Sequence, residues 1–262
     1  MLGDAVVSIL SQPLWVFLTV LARMSPALML APPTRSTSVP MRFRALLAIG
    51  TAALIAPVAF ATATPMPVDL IHLVIAMVGE VLLGVLLGSI ILLTVTSVQL
   101  AGQSIGHLAG FDIATSVDPS SNEDMPVVSN LLGLLAMAIL ILAGGHRQLL
   151  ECCLESFGRY PAGGVYFETH WLQEYEYLVR HTFIIGIRAA APLATALLLA
   201  NILTGLLTRT LPQLNVLAIG FNINAMALLV LLFVSIGSVT WVYQTELTVW
   251  IDSCHRVVAQ DR

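Results

Sequence analysis

No lysine occurs anywhere in this chain; all eleven basic residues are arginine. Charge of either sign is scarce, with only 10% of the 262 residues being Asp, Glu, Lys or Arg, where a water-soluble domain carries about 25%. At 58% hydrophobic residues and a mean hydropathy of +0.91, the chain needs lipid, or a large protein partner, as its solvent. The net charge of −4 excludes the basic face that a nucleic-acid partner would require. Cysteine is reduced to Cys152, Cys153 and Cys254. An adjacent pair bridges poorly to itself and an odd count does not suggest a disulfide framework, so all three are read as small buried hydrophobes. The opening MLGDAVVSIL has an acid and no base before Arg23. It lacks the positive region of a cleaved signal peptide, and the first apolar segment is expected to stay in the mature protein.

Catalytic chemistry is missing too. His107, His146, His170, His181 and His255 lack metal-ligand spacing, and no HExxH, GxSxG or phosphate-binding glycine loop occurs. His146, after Gly144-Gly145, is read as end-capping or interfacial. No cofactor or metal is expected.

What is present is long apolar sequence. Six stretches run roughly from Ala5 to Ala31, Phe43 to Thr64, Leu70 to Ala101, Val127 to Ala143, His181 to Leu207 and Val216 to Tyr243. Most reach the roughly 17–25 residues that a bilayer-crossing helix needs; the third is too long for one straight crossing and the fourth is at the short limit. Pro13, Pro26, Pro57 and Pro192 fall inside these stretches and predict kinks, tolerated in lipid only where protein or water re-satisfies the freed carbonyls. Arg35, Arg42 and Arg44 mark the first connection as cytoplasmic. Strict alternation then puts Arg147, Arg159, Arg180, Arg256 and Arg262 on the opposite side. Helical hairpins that enter the membrane layer from one side would break the rule in this way.

Glycines recur at spacing four, Gly84 and Gly88, then Gly102, Gly106 and Gly110, which predicts a helix face that another helix approaches closely. Arg23, Glu80 and Arg188 are ionisable groups inside apolar sequence, with His72 near an end. Such groups face protein or water. No periodic run of them lines one helix, so a buried pair or network, for instance Glu80 with an arginine of another chain, is preferred to a proton relay. On that reading Glu80→Gln is expected to be mild and Glu80→Leu to impair assembly. Tyr160, Tyr166, Phe167, Trp171, Tyr175 and Tyr177, mixed with Glu168, Glu174 and Glu176, suit a loop anchored at the membrane–water boundary or against a protein.

Between the third and fourth stretches lies an acidic, lysine- and arginine-free loop with Asp112, Asp118, Glu123 and Asp124. Asp118-Pro119-Ser120-Ser121 favours a turn, Pro126 suits the first turn of the next helix, and Gly106 and Gly110 give the backbone freedom to leave the preceding one.

Three stretches in register carry a resemblance. "GFDIATSVDPSSNEDMPV" resembles the central loop of the FliR family of flagellar type III export-gate proteins, a G-x-x-x-A-T-x-V-D-P block followed by M-P-V. "GGHRQLLECCLESFGRYPAGG" is similar to that family's next element, and "GLLTRTLPQLNVLAIGFNINA" to its R-x-x-P-Q signature with I-G-F. Order and spacing agree over about residues 75–235. The chain departs from the pattern at Asn222 and Asn224, where Pro and a base are usual, and at Gln103, where many relatives carry Glu.

The resemblance implies an all-α membrane protein of kinked helical hairpins, built into a helical hetero-oligomeric export gate. It implies an N-terminal part, 1–175, like the gate's P subunit and a C-terminal hairpin, 176–262, like its Q subunit. The implied partners are the P and Q subunits, the large A-type gate protein and its B-type partner, unfolded flagellar export substrates and membrane lipid. The implied place is the bacterial inner membrane, in the flagellar basal body. Gly110, Phe111, Asp112, Ile113, Ala114, Thr115, Ser116, Val117, Asp118, Pro119, Ser120, Ser121, Asn122, Glu123, Asp124 and Met125 are then the plug of the closed pore. From the residue pattern, independent of the resemblance, Gly84, Gly88, Gly102 and Gly106 are the expected helix-packing face, and Glu80 and Arg188 the expected buried ionisable groups.

The reading is therefore a non-enzymatic channel subunit for unfolded flagellar proteins, with the same role in a virulence-type injectisome as the close alternative. A secondary transporter would need paired, discontinuous helices in corresponding halves, and the prolines form no such repeat. A membrane-embedded enzyme lacks a catalytic cluster.

Overall fold

The computed structural model describes residues 2–32, 39–110, 127–210 and 216–258, and all regular structure among them is α-helical. In chain order the helices are α1 (Leu2–Leu30), α2 (Met41–Ala59), α3 (Leu70–Ala109), α4 (Val127–Leu142), α5 (Gly145–Arg159), α6 (Thr169–Thr210) and α7 (Val216–Val258). Among the described residues, four helices hold segments long and apolar enough to cross a membrane, Ser11–Leu30, Met41–Ala59, Leu70–Ala109 and Thr169–Leu207, and α4 with α5 makes a bent fifth candidate. The chain is an all-α membrane protein.

The helices start and stop for local reasons. Pro40, at φ −57° and ψ 143°, precedes α2, and its carbonyl accepts from Phe43 N at 3.0 Å. The buried positions Ala48, Ala52, Ile55 and Ala59 recur at the spacing of one helical face. The other face exposes Phe43, Leu46, Leu47, Leu54 and Val58, apolar surface suited to lipid or another subunit. Between α4 and α5 stands Gly144 at φ +76°, a conformation that side-chain-bearing residues rarely adopt. The short fourth stretch reaches a spanning length only together with α5.

The prolines do not break the chain: Pro13 and Pro26 lie inside α1, Pro57 inside α2 and Pro192 inside α6. Two helices outrun their apolar stretches. The α6 helix begins at Thr169, taking in sequence read as an interfacial loop, because Trp171, Glu174 and Leu178 fall on one buried face while Leu172, Tyr175 and Tyr177 face outward. The α7 helix continues to Val258, with Leu247, Trp250, Cys254 and Val257 buried at helical spacing. Both additions are amphipathic, so a search for unbroken apolar runs passes over them.

Two compact units divide the chain. The first draws on the described residues of Met1–Leu93, Gly144–Leu178 and Thr248–Arg262, the second on Thr94–Ala143 and Val179–Leu247. In the first unit Cys152 of α5 and Cys254 of α7 form a disulfide, with Cα atoms 6.4 Å apart, while Cys153 stays a free, buried thiol. All three cysteines are buried as read, but the reading against a disulfide fails for Cys152 and Cys254. Neighbouring positions on a helix point about 100° apart, so only Cys152 of the adjacent pair faces α7.

Candidate functional site

The first unit is built around one buried ion pair. Arg23 of α1 and Glu80 of α3 both have side chains at 0% exposure, with Arg23 Nε donating to Glu80 Oε2 at 2.6 Å. The other guanidinium nitrogens donate to Ser156 Oγ of α5 at 2.9 Å and to the Tyr160 carbonyl at 2.8 Å. The Phe157 ring lies under the guanidinium, 3.9 Å from its centroid. The second carboxylate oxygen of Glu80 accepts from Gly163 N at 2.7 Å. Each group that burial strips of water is thus given a protein partner, the condition under which a charge can be held inside. The buried pair read for Glu80 is made with an arginine of its own chain; an arginine of another chain was the instance given for it.

The link after α5 is shaped to reach this pair. Gly163, at φ +81°, packs so tightly that a Cβ would stand 2.7 Å from Thr64 Oγ1 and 2.8 Å from the Trp15 ring. Thr64 N and Oγ1 both donate to the Ala162 carbonyl at 3.0 Å. Gln12 Nε2 donates to the Thr64 carbonyl at 3.0 Å, and Gln12 Oε1 accepts from Met66 N at 3.1 Å. Ser156, Tyr160 and Gly163 carry no sequence signal for this role beyond the Pro-Ala-Gly-Gly turn.

The expected glycine face divides between the two units. In the first, a Cβ on Gly84 would collide with the Arg23 carbonyl and come 2.7 Å from Pro26 Cγ, and one on Gly88 would lie 2.7 Å from the Ala27 carbonyl. In the second, a Cβ on Gly102 would lie 2.7 Å from Ser129 Cα, and Ser129 Oγ donates to the Gln99 carbonyl at 2.8 Å. Gly106 is buried. These close approaches are made within the chain, α3 against α1 and against α4.

Arg188, expected buried, lies on the exposed face of α6 in the single chain. Gly110 ends α3 at φ +81°, and residues 111–125 of the expected plug lie outside the described residues. In the second unit Asn224 Nδ2 donates to Asn201 Oδ1, and Asn201 Nδ2 donates to the Leu108 carbonyl at 3.0 Å. Asn224, one of the departures from the family pattern, therefore serves as a neutral hydrogen-bonding group that ties α7 to α6. Gln103 and Asn222 are exposed.

Among the aromatics, Tyr160 and Trp171 meet edge to face with centroids 5.3 Å apart, and Trp171 Nε1 donates to Tyr160 Oη at 3.2 Å. Glu174 pairs with Arg256 at 2.9 Å. This is packed helical structure, held by the second turn of α6. Tyr160→Phe keeps the ring contact but strands the buried indole N–H, so about 1–3 kcal/mol should be lost, read as a lower Tm of the purified protein.

Among the described residues no group of three His, Cys, Asp or Glu is placed to hold a metal ion. The chemistry of the Arg23–Glu80 centre is cohesion: its polar atoms are engaged with one another.

A family model described as "Bacterial export proteins, family 1" matches residues 14–249. The chain is 32% identical to the flagellar biosynthetic protein FliR of Escherichia coli (strain K12) over 80% of its length and 78% of the relative's. It is 26% identical to FliR of Bacillus subtilis (strain 168) over 93% and 94%. A more distant relative is the surface presentation of antigens protein SpaR of Shigella sonnei, 23% identical over 62% of this chain and 63% of that protein.

Proposed function

The chain belongs to the bacterial export proteins of family 1, and from that membership we propose that it is a subunit of the flagellar type III protein export gate. The observation that carries this reading is the match of nearly the whole chain to that family, in one register with the three motifs quoted above. The subunit does no chemistry; it forms part of a pore in the inner membrane, within the flagellar basal body, and unfolded flagellar proteins pass through. It assembles with P and Q gate subunits and with the A-type gate protein and its B-type partner. Residues 1–175 take the P-like role and 176–262 the Q-like role, a division by likeness to those subunits.

Structure on either side of the loop is compatible with such work. The apolar faces of α2 and of the first turns of α3 (Leu70, Ile71, Val74, Ile75, Val78) are exposed in the single chain, surface that lipid or neighbouring subunits would cover. The α3 helix ends at Gly110 in a conformation that lets the chain turn away. Residues Gly110 to Met125 then plug the resting pore, with their acids keeping the segment solvated.

Two measurements test this. Purified in mild detergent, the chain should be recovered as one copy among several small membrane proteins. A stable monomer or homodimer that moves a small solute would overturn the gate, and loss of virulence-factor secretion with flagella intact would favour the injectisome. Deleting Ser116 to Asp124 should leave the complex assembled and raise its conductance in a planar bilayer. An intact deleted complex as silent as the parent would reduce the loop to a connection.

A further inference from the structure

We propose that Cys152 and Cys254 are joined by a dithiol–disulfide oxidant on the extracytoplasmic side of the membrane, so that the end of α5 and the end of α7 open to that side. The first observation is the pairing itself: two cysteines far apart in sequence, on different helices, with Cα atoms 6.4 Å apart, inside the range that a disulfide spans. Disulfides form and persist outside the cytoplasm and are rare within it, where thiol reductants hold cysteines reduced.

The surroundings of the pair are charged. Beside Cys254, His255 pairs with Glu155 across the two helices at 3.1 Å, with about half of each side chain exposed. Asp252 is exposed as well, and on α5 Arg147 pairs with Glu151 on the outer face. Charges placed so densely belong at a water-facing surface, where an oxidant protein can reach the thiols while the helices are docking.

The charge pattern agrees on which surface this is. The α5 helix ends at Tyr160, and the link that follows is bonded through Ala162 to Thr64, and Thr64 to Gln12 near the start of the α1 span. Arg42 and Arg44 stand at the other end of that hairpin, in the first turn of α2. Arginines next to a span mark its cytoplasmic end. The link beside α5 therefore lies at the outer end. The disulfide supplies what the arginine count alone left tied.

The chemistry balances with a protein disulfide as electron acceptor. One thiolate attacks the oxidant's disulfide to give a mixed disulfide, and the second thiolate attacks the cysteine sulfur of that bond. The new S–S bond forms, and the oxidant departs as a dithiol carrying the two electrons and the two protons given up by the thiols. Cys152 and Cys254 are both buried in the finished unit, which shields the bond from later reduction. Cys153 remains as the internal standard, buried on the neighbouring face.

The test counts thiols. Membranes are quenched with acid, denatured, and treated with a maleimide–polyethylene glycol before or after reduction. One adduct before reduction and three after it are expected, and Cys153→Ser should give none before and two after. In cells lacking the extracytoplasmic thiol oxidase, three adducts should appear without reduction. Three adducts without reduction in normal cells would overturn the bond. An adduct on unreduced Cys153→Ser would overturn the pairing. One adduct regardless of the oxidase would overturn the oxidant and the side assigned from it. The wild-type chain carries the main readout, so the bond and its oxidant are tested without a variant having to fold.

Discussion

Glu80→Leu leaves the Arg23 guanidinium buried without its carboxylate, and the protein should lose about 3–5 kcal/mol of stability, the usual consequence of breaking a buried pair from one side. At about 1.4 kcal/mol per tenfold, that lowers the folded-to-unfolded ratio by about two to three decades, a large share of the about 5–15 kcal/mol a native protein has, seen as a reduced monodisperse peak in size-exclusion chromatography. Arg23→Met should be as severe, because it orphans the carboxylate and takes partners from Ser156 and Tyr160 as well. Combining Arg23→Met with Glu80→Leu removes both charges and should recover part of the loss. Recovery stays incomplete, since the Gly163 N–H and the Tyr160 carbonyl remain without their partners, at about 1–3 kcal/mol each. Parent-like yield from Glu80→Leu alone would refute the structural role.

The amide variant separates cohesion from proton relay, with a different expectation from the one the sequence suggests. Sequence reasoning makes Glu80→Gln mild. Both carboxylate oxygens, however, accept from N–H donors, one on Arg23 and one on Gly163. An amide must turn its NH2 toward one of them, donor against donor, and it leaves the guanidinium charge uncompensated. Glu80→Gln should therefore fall between the parent and Glu80→Leu in thermal stability. An assembled, parent-stable Gln variant that no longer transports would restore the relay.

Gly84→Leu is the second variant expected to fail outright. The obstacle is the Arg23 carbonyl and the Pro26 ring, which are backbone and a ring locked to backbone, with no flexible end to swing aside. Overfilling a packed interface costs about 1–3 kcal/mol where side chains can shift, and here α3 would have to part from α1. Moving α3 would also pull Glu80 from Arg23, one turn away, so the two losses compound. The variant should fail to fold, not merely fail to join other subunits, because the contact lies inside the chain. Gly50→Ala on α2 is the control: nothing lies within 4 Å of the added Cβ, and replacing a mid-helix glycine should gain about 0.5–1 kcal/mol. If Gly84→Leu gives intact monomer and loses only the complex, the glycine face belongs to an intermolecular contact instead.

Composition and local pattern by themselves determined the class. Scarce charge and long apolar stretches require lipid, and glycine at spacing four calls for a close helix contact, since each depends only on residues near one another in the chain. Three local motifs, read in order, were enough to indicate the family. Pairing across distance was decided by the tertiary structure. Nothing near Glu80 in sequence announces that Arg23 is its partner, that Gly163 completes its shell, or that Cys152 rather than Cys153 faces Cys254. Those choices depend on which helix faces meet when α1, α3, α5 and the end of α7 pack, and a helix turned by one residue, about 100°, would have chosen differently. The early start of α6 belongs with them: an amphipathic turn commits to helix when a core receives Trp171 and Leu178, and burial of that kind exists only in the folded unit.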